Sequence, residues 1–272
     1  MSVKKDASGR RSVQVEVEVP GTPEQVWQAI ATGPGVSSWF VPTEGEERVG
    51  GTVTAHFGPG MDSVATVTAW DPPHRFAAES GGLGPGAPAL ATEWTVEGHS
   101  GGTCTVRVVH SLFASTDDWD DQLESVESGW PAFFRILRLY LTHFRGERCS
   151  RFQVMGFAPG TEANAWDALT GSLGLGGAAM GQKRKTSAGV PTLGGVVEGV
   201  REGNHPFALL LLDEPAPGAA FLNACAMGDQ VFIAISFYLY GDRAAGAVAR
   251  DEPLWQAWMS EHFPVVSEAM GG

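Results

Sequence analysis

The sequence predicts an α+β protein made of two similar units in tandem, each a curved antiparallel sheet wrapped around a long C-terminal helix. Three observations carry this. The chain has 272 residues, more than one core usually absorbs, since single cores stop growing at about 100 to 200 residues. The amphipathic segment PEQVWQAIATG, which starts at Pro23, is echoed by EANAWDALTG from Glu162, so that Trp27 answers Trp166. After each echo come short strand-like runs punctuated by Gly and Pro, then a long helical stripe.

In the first unit, SVQVEVEVP alternates Val13, Val15, Val17 and Val19 with polar residues, the period of a strand with one wet face. Thr22 is placed to cap the following helix, with Pro23 at its first position and Glu24 in its first turn. A second short helical turn, GVSSWF, presents Trp39 and Phe40. Strands are expected at 52–57, 62–70, 75–80, 89–97 and 102–113, an antiparallel meander. The string SGWPAFFRILRLYLTHFRG then aligns Trp130, Phe133, Leu137, Leu141 and Phe144 along one helix face.

The second unit repeats this order. SRFQVMGF stands for the first strand, GNHPFALLLL answers DPPHRFAAES with His205 and Phe207 opposite His74 and Phe76, and EPLWQAWMSEHF reads as the closing helix, capped by Asp251. The predicted boundaries are a flexible tail at 1–11, a first domain at 12–148 and a second at 149–272. FALLLL and VFIAISFYLY are apolar on both faces, so the second sheet needs cover on both, from the other unit, a homodimer partner or a lipid-like ligand.

Composition excludes several classes. A formal net charge of −13 is wrong for a nucleic-acid partner, which needs clustered Lys and Arg. No apolar run is long enough to insert in a membrane, and MSVKKDASGRRS lacks the apolar core of a signal peptide. Cys104, Cys149 and Cys225 are scattered, which fits a reduced, cytoplasmic compartment and no metal site. P-loop, dinucleotide and HExxH motifs are absent, and no cofactor is expected.

DPPHRFAAE, ATEWTVE, GTCTVRVVHSLF and ESGWPAFFRILRLYL, in that order, resemble the START/SRPBCC helix-grip superfamily, in its branch of activator-of-heat-shock-protein-ATPase homologues. The birch-pollen allergen and polyketide cyclases belong to the same superfamily. The resemblance spans about residues 12–146 and implies a ligand cavity between sheet and long helix. Strand parity places Val53, Ala55, Phe57, Ala65, Val67, Ala69, Trp94, Val96, Cys104, Val106, Val108 and His110 on its wall. With Trp39, Phe40, Phe76, Trp130, Phe133, Phe134 and Leu137, these make an apolar lining with few polar points.

His110 is the candidate for acid–base work, since parity sets its imidazole among valines; its bland reading is a strand-end histidine bonded to backbone. Glu93 and Arg107 should face outward, and Cys104 should be an inert inward thiol. The acidic run Asp117, Asp118, Asp120 and Asp121 is explained by charge at a helix start. The first functional reading is binding of a hydrophobic small molecule of polyketide, polyene or lipid type, for natural-product biosynthesis or self-resistance. The alternative is a cofactor-free polyketide cyclase or aromatase using His110. A chaperone co-factor comes last, since the resemblance covers only the START-like module.

Overall fold

The N-terminal residues open as a small hairpin in which β1 (Lys4–Lys5) pairs with the start of β2 (Arg10–Pro20). Part of the expected tail is therefore sheet, and the reason is an ion-pair anchor. Arg11 is buried, and its guanidinium donates to Asp117 Oδ1 and Asp120 Oδ1, both at 2.6 Å, while Lys5 reaches the same two carboxylates. The acidic run thus has basic partners across the sheet, beyond the helix-start role expected of it.

The structure is a computed structural model that describes residues 3–58, 60–81, 86, 88–114 and 116–264. It divides into two units, Met1–Arg145 and Gly146–Gly272.

In the first unit, β2 leads through α1 (Pro23–Ala31) and α2 (Gly33–Ser37) into β3 (Thr43–Gly45), β4 (Thr52–His56), β5 (Asp62–Asp71), β6 (Arg75–Ser80), β7 (Leu90–His99) and β8 (Thr103–Phe113). The eight strands form one antiparallel sheet in the order β1-β2-β8-β7-β6-β5-β4-β3. Thr22 and Gln25 form a reciprocal capping box that starts α1. Thr32 ends α1 and caps α2, its hydroxyl accepting from the Gly35 amide. Gly35 is required at this fold-back, because a Cβ there would overlap the carbonyl oxygen of Gln28.

The sheet ends in the long helix α3 (Asp120–Leu139), continued by a π-helical turn at Tyr140–Phe144. The helix starts well before the SGWP string, in the acidic run itself. One register prediction fails: a shift between Val67 and Ala69 puts Ala69 opposite Ala77 on the outer face, and Trp70 pairs with Phe76 instead. A bulge flips every following side chain. Trp70 consequently packs inward, 5.1 Å from Trp27.

The second unit has β9 (Cys149–Pro159), α4 (Glu162–Leu173), β10 (Lys183–Lys185), β11 (Gly194–Arg201), β12 (Phe207–Glu214), β13 (Gly218–Met227), β14 (Gln230–Tyr240) and α5 (Ala244–His262). Its sheet order, β10-β11-β12-β13-β14-β9, reproduces the inner six strands of the first, with β9 in the place of β2.

Two details of the repeat are corrected. The closing helix begins at Ala244, so Asp251 is an interior, buried residue paired with Arg250, not its cap. The alanine-rich AAGAVAR has the propensity to extend the helix backwards. The proposed equivalence of Phe207 with Phe76 also slips by one: Ala208, not Phe207, joins the helix-side core with Trp166.

Both faces of β14 are buried, as its composition requires. Ile233, Ile235, Phe237 and Leu239 belong to the core under α5, with Phe237 5.2 Å from Trp255, while the alternate residues Ser236, Tyr238 and Tyr240 are equally inaccessible. Burial pushes the Tyr238 phenol up to about 12.

Candidate functional site: an aromatic wall in the first unit

Antiparallel pairing lines up the inner face. Thr92 stands opposite His110, Trp94 opposite Val108, Val96 opposite Val106, and Phe76 opposite Trp94 on the next strand. Directly opposed residues share a face. Val67, Phe76, Trp94, Val96, Val106, Val108 and His110 are all buried there.

Helix α3 lays Trp130, Phe134 and Leu137 against this face. The Trp130 ring meets Trp94 edge-on at 5.0 Å, and Phe134 lies 6.1 Å from Trp94. Leu137 is fully buried further along the helix.

The turn after α2 supplies the remaining rings. Trp39 is buried, its indole donating to the Ala29 carbonyl at 2.9 Å, and its ring lies 6.4 Å from Trp94. Phe40 is half-buried; it stacks on Trp130 at 5.3 Å and meets Phe133 edge-on at 4.7 Å.

Phe57, expected within the wall, is 44% exposed and touches only its outer edge, through Phe40 at 5.8 Å. It lies past the end of β4, next to the short edge strand β3, where the sheet has run out. Successive rings from Phe57 through Phe40 to Trp130 thus run from solvent to His110. Aromatic pairs of this kind are worth about 0.5–1.5 kcal/mol each beyond their buried area.

His110 is the polar point in the wall, and its chemistry is fixed by its neighbours. The indole of Trp130 donates to Nε2 at 2.7 Å, and Nδ1 lies 3.0 Å from Thr92 Oγ1. An indole nitrogen can only donate, so Nε2 holds a lone pair and the proton sits on Nδ1, which donates to the threonine. Burial pushes the imidazole down to about 4, so it is neutral near pH 7.

Both ring nitrogens are therefore committed. What remains available is the hydroxyl hydrogen of half-buried Thr92, whose oxygen already accepts from His110. Thr92 was missed in the sequence, although the alternation of Thr92, Trp94 and Val96 carried the signal.

The residues expected to stand apart do so. Glu93 pairs with Arg75 and Arg107 with Glu16 on the outer face. Cys104 is buried, its thiol pushed up by burial and donating to the Gly21 carbonyl. Among the described residues, no three of His, Cys, Asp or Glu gather to hold a metal ion, and no helix is long and apolar enough to cross a membrane.

Residues 10–135 match the family model described as polyketide cyclase/dehydrase and lipid transport, and this range contains every wall residue but Leu137. No curated protein matches the chain. Among solved structures, the di-domain ARO/CYC BexL from the BE-7585A biosynthetic pathway is 13% identical, with 94% of this chain and 99% of that one covered and a TM-score of 0.45. DynU16, a protein in the dynemicin biosynthetic locus, is 18% identical over 91% of this chain and 94% of its own, with a TM-score of 0.43. CalU16 from Micromonospora echinospora is 17% identical, covering 52% of this chain and 83% of that one, with a TM-score of 0.42. Likeness at this level transfers no activity. The family match thus lies on the first unit, at residues 10–135, and the order of strands and helices gives the chain two helix-grip units in tandem.

Proposed function

We propose that the first unit binds a hydrophobic small molecule of polyketide type, with a flat conjugated face, against the wall formed by Trp94, Trp130, Phe133 and Phe134. The observation that carries this reading is the Thr92–His110–Trp130 chain of hydrogen bonds, set in an otherwise apolar wall. It leaves one oriented hydroxyl donor, the kind of sparse polar group that fixes a ligand's orientation in an apolar site.

The rings now fill the inner face, so a ligand gains access by displacing Phe40 from its stack on Trp130. In this reading Phe40 and half-exposed Phe57 are the movable outer layer. Thr92 and Trp130 are the fixed inner one.

The same bonds argue against His110 as general acid or base. The family description also names cyclases and dehydrases, and a cyclase working by shape alone would tolerate a committed histidine.

Titration of the full chain with a tetracyclic hydroxyquinone tests the proposal, read by tryptophan fluorescence and native mass spectrometry. One-to-one binding that weakens at least tenfold in Trp130→Ala supports it. Absence of binding up to the probe's solubility limit overturns it. Turnover of a poly-β-ketone by wild type that vanishes in His110→Gln would replace it with the cyclase reading.

A further inference from the structure

The second unit contains a cavity of about 130 Å3 that the aromatic wall does not explain. It lies between α4 with the loop that follows it and the strands β10 to β13; no residue of the long helix α5 lines it.

Its origin is visible in the repeat. In the first unit, Trp27 packs against Phe76, which is paired in register with Trp94. In the second, Trp166 has the corresponding pair Ala208 and Leu222. Two large rings have become a methyl group and an isobutyl group. The segment after α4 also lacks rings like those of Trp39 and Phe40: α4 runs into the glycine-rich GSLGLGG, and Gly171, Gly176 and Gly177 all line the cavity with no atom near where a Cβ would stand.

The cavity is apolar at its base and has a guanidinium in its lining. Trp166, Ala208, Leu210 and Leu222 form the base and are buried. Arg184 also lines it; its Nη2 donates to the Gly177 carbonyl at 3.2 Å and to Gln182 Oε1 at 2.8 Å, which holds the guanidinium in place. Exposed Asp167 and Glu202, also in the lining, set negative charge about the cavity.

Size and charge then select the occupant. A cavity of about 150 Å3 holds one benzene ring, whereas drug-sized ligands need about 300 Å3 or more. We propose that the second unit carries its own binding site, separate from the aromatic wall, for a neutral single-ring compound bearing one carbonyl or phenolic oxygen. The ring rests on Trp166 and Leu222, and the oxygen accepts from the Arg184 guanidinium. A carboxylate would have the right acceptor, but it would be repelled by Asp167 and Glu202.

The test uses the full chain with acetophenone, phenol, toluene and benzoate, read by the shift of the Trp166 indole resonance in NMR. Acetophenone or phenol should shift Trp166 saturably in the millimolar range or below, with toluene and benzoate at least fivefold weaker. Ala208→Phe, which restores the ring of the first unit, should abolish the shift. Gly171→Leu is the second filling variant, at a position without positive φ where a side chain favours the helix over glycine. Arg184→Met should bring the oxygenated probes down to the level of toluene. The proposal is overturned if no probe moves Trp166, if both folded filling variants bind as wild type does, or if benzoate binds best.

Discussion

Trp130 donates its indole N–H to Nε2 of His110 at 2.7 Å, joining the long helix α3 to the central strand β8 through two buried side chains. This bond sets the tautomer of the histidine and, through it, the direction of the Thr92 hydroxyl. Trp130→Phe keeps an aromatic ring but leaves Nε2 without a donor, which should cost about 1–3 kcal/mol. Urea denaturation checks this; a variant as stable as wild type would show that the bond is not formed in solution.

Acid should expose the same histidine. The folded imidazole takes a proton only near pH 4, while the unfolded one does so near its ordinary value of 6.5, so between these the unfolded state binds more protons. Stability should therefore fall as pH drops from about 6.5 toward 4, by about 3 kcal/mol in order of magnitude. Denaturation curves at pH 7 and 4.5 measure it, with His110→Gln as control. The difference between the two pH values should be smaller in the variant; an equal difference would contradict the assignment.

The anchor at Arg11 acts in a lower pH range. Hydrogen bonds from Arg11 and Lys5 hold the Asp117 carboxyl below its ordinary value; burial pushes Asp120 upward, but bonds from the same two side chains prevail and hold it low as well. Their contribution is present above about pH 4 and is lost on further acidification. Arg11→Met should lower the melting temperature at pH 7 and speed hydrogen exchange at the start of β2. Unchanged exchange there would mean that the hairpin is held by other contacts.

Gly35→Ala should damage the site from a distance. The added methyl meets the Gln28 carbonyl, so α2 must move away from α1, carrying Trp39 and Phe40 with it. A loss of about 1–3 kcal/mol is expected, as for other overpacked sites, together with a changed near-ultraviolet dichroism. Wild-type behaviour in both would show that the two helices have room to spare.

The fold was legible because its signals are local. Alternation marked β2, β7 and β8, the Trp27 and Trp166 echo marked the duplication, and Thr22 with Pro23 marked the start of α1. What the sequence hid depends on contacts distant in the chain. The shift beside Val67 reverses Ala69 and Trp70 with no glycine or proline to announce it. The order of residues 4–11 rests on Arg11 meeting Asp117 and Asp120 from the far end of the unit. At the site, parity placed His110 inward, but only the position of Trp130 on α3 shows that its ring is occupied on both sides.

The central claim, a ligand seated on the aromatic wall, is tested most directly by the tryptophan indole N–H resonances during titration with a tetracyclic hydroxyquinone. The account predicts saturable shifts of Trp94 and Trp130, with Trp255 and Trp258 unmoved. Shifts confined to tryptophans of the second unit, or none at saturation, would contradict it.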